Sequence, residues 1–190
     1  MTGKRACLLI ITAVIYMTLP QQSHAVQCNE QEWNKALSSQ QTLDQRYNLL
    51  ASQYNLWLPN FQHAVFLHQE FTQSELQFLW DSNRHDIRTK IAMQLESAQK
   101  ASRDVINLLF LLDETPKYIV MQTEQWFQLG EKCKNEGLMS NYFSAELYLK
   151  SNQELKGSLD VLRRSLQTMQ NYYDYEISAL SALTEITSSP

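Results

Sequence analysis

Apolar residues recur along this chain at alternating steps of four and three. Toward the C-terminus the positions are Leu155, Leu159, Leu162, Leu166, Met169, Tyr173, Leu180 and Leu183, with Glu176 the one polar member. This spacing lays a single apolar seam along a helix and predicts partner helices nearly parallel to it, as in a coiled coil. The arm runs from about 138 to 186, with Ser140 as its expected cap and Gly157 on its outer face.

Two earlier arms carry the same rhythm. The first, from about 31 to 80, has the seam Trp33, Ala36, Leu43, Tyr47, Leu50, Tyr54, Trp57, Phe61, Ala64, His68, Phe71 and Phe78, with Gln40 and Glu75 as polar members. Pro59 has no backbone N–H to give, so a kink or short break is expected at Leu58-Pro59-Asn60. The second arm, from about 83 to 134, reads Ile87, Ile91, Ala98, Ala101, Val105, Leu108, Leu112, Ile119, Trp126, Leu129 and Cys133. Its polar members are Gln94, Thr115 and Gln122. Thr115-Pro116 is expected to restart the helix, with threonine as cap and proline at the first helical position. Polar turns close the arms at Asp81-Ser82-Asn83 and at Asn135-Glu136-Gly137, where Gly137 suits a left-handed terminator.

These patterns predict an all-α fold: an elongated antiparallel bundle of three long arms, kinked near Pro59 and Pro116 and roughly 75 Å long at about 1.5 Å per residue. The competing arrangement folds back at both prolines into a compact bundle of four or five shorter helices. Composition agrees with helix. The chain beyond residue 25 has three glycines and three prolines, far fewer than strands joined by tight turns require.

The N-terminus changes the setting. Lys4 and Arg5 precede an apolar run, Ala6 to Leu19, that is short for a bilayer span, and Ser23-His24-Ala25 offers small residues where a signal peptidase cuts. Residues 1–25 are thus expected to be a cleaved signal peptide and 26–190 a single exported domain without a stable membrane anchor. An uncleaved anchor is the alternative for the same run. Removing the leader leaves fourteen basic and twenty acidic side chains, a formal charge of −6, which argues against nucleic acid as a partner. No Asn-X-Ser/Thr acceptor occurs, so a bacterial periplasmic or secreted setting is expected.

Cys7 leaves with the leader, and the remaining pair, Cys28 and Cys133, reads as a disulfide in an oxidising compartment. An up-down-up course brings both to the same end of the bundle, which supports bridge and topology together.

Catalytic and cofactor motifs are missing from the pattern. His63, His68 and His85 form no His-x-x-x-His or Glu-x-x-His pair, and Cys-x-x-Cys-His, Gly-x-Ser-x-Gly and phosphate loops do not occur. A non-enzyme with no cofactor and no metal is expected. The run Val105–Leu112 is apolar on every face, so something must cover it. Ile106, Leu109 and Phe110 lie away from Leu108 and Leu112 and are candidates for docking a partner, with Tyr175 as a further exposed ring. The favoured function is therefore an envelope binding or assembly protein, an accessory of secretion, pilus or chaperone type. It would dock another protein of the cell envelope or a second copy. The alternative is a periplasmic small-ligand receptor with a pocket between helices lined by His68, Trp57, Trp80 or Trp126.

Overall fold

The computed structural model describes residues 27–82 and 84–186, and the chain is an all-α helical bundle with no strand among them. The expected leader at 1–25, Asn83 and the tail at 187–190 lie outside the described residues. Six helices follow in order: α1 (Glu30–Gln62), α2 (Leu67–Glu70), α3 (Gln73–Asp81), α4 (His85–Asp113), α5 (Thr115–Asn135) and α6 (Met139–Ile186).

The 48 residues of α6 span about 72 Å, and the other helices are arranged along it. Helix α5 packs against its first half and α4 against its second, while α1 lies on α5 and α6. The pairing runs antiparallel. Trp126 stacks on Tyr148, Ser102 bonds Asp174 and Gln94 bonds Glu176, so positions fall along one helix as they rise along the other. Three clusters form the core. At one end Cys28, Ala36, Trp126, Leu129, Cys133 and Ala145 meet, and the Cys28–Cys133 bridge ties the start of α1 to the end of α5. Leu43, Leu50, Val105, Leu108, Leu112, Leu159 and Leu166 fill the middle. Leu76, Ile91, Leu180 and Leu183 close the far end.

Local chemistry explains most boundaries. The Asn29 side chain accepts the Glu32 N–H at 2.9 Å to start α1. Thr72 and Glu75 form a reciprocal capping box at α3, so Glu75 is an exposed capping residue and not the seam member its spacing suggested. Gly137 takes φ 78° after α5, a conformation in which a side chain would be strained. Gly130 serves packing: a Cβ there would meet the Ala145 Cβ at 3.0 Å, so the missing methyl lets α5 and α6 approach.

Four expectations are corrected. Of the kink or short break expected at Leu58-Pro59-Asn60, the break is absent, because helix α1 continues through Pro59; the chain leaves the helix later, at His63–Phe66. After that break the register shifts: Phe66 and Leu76 turn inward, whereas Ala64, Phe71 and Phe78 are exposed. Glu114, not Thr115, occupies the cap position of α5, and the Thr115 hydroxyl donates to the Leu111 carbonyl and accepts from Arg46. Ser140 lies inside the first turn of α6, whose first residue is Met139.

Candidate ligand site at the helix break

The break between α1 and α2 is held by groups from two other helices. Proline removes one backbone bond near the end of α1, the His63 N–H returns to the Pro59 carbonyl at 3.1 Å, and Ala64-Val65-Phe66 leave the helix. Phe66 then packs edge-on to Phe61 and tilts against Tyr172 and Tyr173, with ring centroids 5.5–5.9 Å apart. The new start of α2 exposes backbone N–H groups that need acceptors. Glu176 of α6 supplies them. Its Oε1 accepts from Leu67 N at 2.9 Å and its Oε2 from His68 N at 3.0 Å. The His68 Nδ1 lies 2.7 Å from Oε2, and with the carboxylate ionised it donates.

Gln94 of α4 completes the arrangement. Its Nε2 donates to Glu176 Oε1 at 3.0 Å and to the Val65 carbonyl at 2.9 Å, linking the break to α4 and α6 at once. Glu176 is fully buried. Burial by itself pushes a carboxyl pKa up, but the bonds from His68, Leu67 and Gln94 outweigh it and hold the group below the ordinary glutamate value.

Beside this junction lies a cavity of about 310 Å³ between the end of α1, the break, α4 and α6. Trp57, Phe66, Val105, Met169 and Tyr173 supply its apolar wall, and Ala98 and Ala101 keep it open by their size. Asn60, Gln94, Ser97 and Asp104 are its polar members. Burial raises the pKa of the Tyr173 hydroxyl, keeping it a neutral group at physiological pH.

No family model, no curated protein and no solved structure matches the chain. The reading of the site therefore rests on its own chemistry.

The four residues expected to line a pocket fall in separate places. Only Trp57 borders the cavity. His68 is engaged with Glu176, and Trp80 belongs to the far-end cluster, with its buried Nε1 lacking a partner among the described residues. Trp126 is wholly buried, stacked on Tyr148 with centroids 4.1 Å apart and bonded through Nε1 to Gln40 Oε1 at 2.9 Å. It is a core residue. Among the expected docking residues, Ile106 is 49% and Phe110 68% exposed. Leu109 is partly buried and packs on the middle core cluster. Tyr175 is exposed, its ring 6.1 Å from that of His68. No group of three or more metal-ligating side chains occurs among the described residues, and none of the described helices is long and apolar enough to cross a membrane.

Residues not singled out for a site make most of it: Phe66, Gln94, Asp104 and Tyr173. Gln94 and Glu176 did carry a signal. Both interrupt apolar seams, and such positions are where helices exchange hydrogen bonds. Gln40 behaves likewise, donating to Asn152 Oδ1 at 2.9 Å, as does Gln122, which donates to the Ala36 carbonyl at 2.9 Å.

Proposed function

We propose that this chain is an exported, non-enzymatic binding protein and that the cavity beside Trp57 is its ligand site. The observation that carries this reading is the cavity itself. Its volume is at the lower edge of the ~300–1,000 Å³ typical of small-molecule sites, and its wall joins aromatic and aliphatic side chains to an equal share of polar surface. Its position adds support, because an irregular segment pinned by Glu176 and Gln94 forms one side. Export is supported by Lys4-Arg5, the apolar run that follows, the small residues at 23–25, and the bridged cysteines.

Thermal denaturation against a small-molecule library tests the reading. A true ligand at a hundredfold its Kd stabilises by about 2.7 kcal/mol. Ala101→Leu, which fills the cavity, should remove that response while circular dichroism stays unchanged. Stabilisation that persists in Ala101→Leu would place the ligand elsewhere.

A second reading, docking of an envelope protein or a second copy in a secretion, pilus or chaperone-like assembly, is favoured by the exposure of Ile106 and Phe110 beside the half-exposed Leu111.

A further inference from the structure

We infer that the cavity selects a small organic cation, an alkyl- or arylammonium whose charge meets Asp104 and whose hydrocarbon body lies among Trp57, Phe66 and Tyr173. This inference rests on the ligand-site reading above and adds the chemical class.

Charge gives the first argument. Asp104 is the one charged side chain on the cavity wall, and no lysine, arginine or histidine lines it. Asp104 is exposed, which places it at the rim, and it makes no ion pair among the described residues. A cation arriving there gains a partner without displacing one.

The hydrogen bonds of Gln94 give the second argument. A glutamine amide has two donor hydrogens and one carbonyl oxygen. Gln94 spends its donors on the Val65 carbonyl and on Glu176, so what it still offers a ligand is an acceptor. A carboxylate or phosphate would find no basic side chain on this wall and would face Asp104. An ammonium finds acceptors in Asp104 and the Gln94 carbonyl oxygen, while Asn60 and Ser97 can serve a donor or an acceptor alike.

The rings give the third. Aromatic faces attract cations through their quadrupoles, and a wall holding a tryptophan, a tyrosine and a phenylalanine suits both the charge and the hydrocarbon of an amine. Ala98 and Ala101 leave space for that body.

Calorimetric titration of the bridged protein with hexylammonium, hexan-1-ol and hexanoate decides the matter, because the three differ chiefly in charge. Hexylammonium should bind about tenfold more tightly than the alcohol, and hexanoate more weakly than either. Asp104→Asn should erase the ammonium's advantage, and helix content should be unaffected because the residue is exposed. Equal binding of ammonium and alcohol, or an unchanged preference in Asp104→Asn, would overturn the cation assignment and leave a ligand site of other chemistry. Binding of none of the three probes would overturn the cation assignment too, and a library response that persists in Ala101→Leu would then overturn the site itself.

Discussion

Glu176 and His68, 108 residues apart in the chain, meet twice: Oε2 of the carboxylate lies 2.7 Å from the imidazole Nδ1 and 3.0 Å from the His68 backbone nitrogen. One carboxylate thereby satisfies the first turn of α2 and fixes a ring beside it. The contact ties the irregular segment that borders the cavity to α6.

Glu176→Gln should therefore destabilise the fold by about 2–4 kcal/mol, because an amide nitrogen would face donors that the second carboxylate oxygen now accepts. Urea denaturation measures the loss. A change below about 0.5 kcal/mol would mean that the break is held by Phe66 and its ring neighbours.

The same group predicts a pH dependence. Its folded pKa is depressed, so its contribution is complete above the ordinary glutamate value and is lost as pH falls through the lower folded value. The stability gap between the natural chain and Glu176→Gln should be constant near neutrality and close on acidification. A gap that widens in acid would contradict the assignment.

Reduction of Cys28–Cys133 should lower stability by up to ~4–5 kcal/mol in the chain-entropy model, since the bridge closes a loop of 105 residues. Helix content should persist, because Trp126, Leu129 and Ala145 still pack around the bridge site. In the unreduced, denatured chain lacking residues 1–25, thiol labelling should find no reactive cysteine.

Two glycines should respond in opposite directions. Gly157 is helical with open space around it, so Gly157→Ala should stabilise by about 0.5–1 kcal/mol. Gly130→Ala places its methyl 3.0 Å from the Ala145 Cβ and should destabilise despite the better helix propensity. Thermal melts of the two variants separate the effects.

Phe110→Ser should leave the melting temperature nearly unchanged, because the ring is 68% exposed, while Leu109→Ala should cost about 2–3 kcal/mol through its contact with the core. If Phe110 docks a partner, the serine variant weakens that association in pull-down or light scattering with folding intact.

The four-three spacing by itself determined the helical class, the seam of α6, and the inward positions of α4 and α5 such as Ile91, Val105, Ile119 and Trp126. Helical periodicity is local, so it can be read without knowing the partner helix. The cysteine pairing was legible for a similar reason, because two residues at one end of antiparallel helices meet by topology. Where α1 stops was not legible. Pro59 marked a weak point, but the helix could continue through it, and the actual break follows from Phe66 finding Phe61 and Tyr173 and from Glu176 capping the restart. Only the tertiary structure decided this, because the free energy that ends one helix and starts the next comes from residues on α4 and α6 more than a hundred positions away in the case of Glu176. The cavity has the same origin: Trp57, Gln94, Asp104 and Tyr173 come from three helices, and their common wall exists only once α4 and α6 have closed on the broken end of α1.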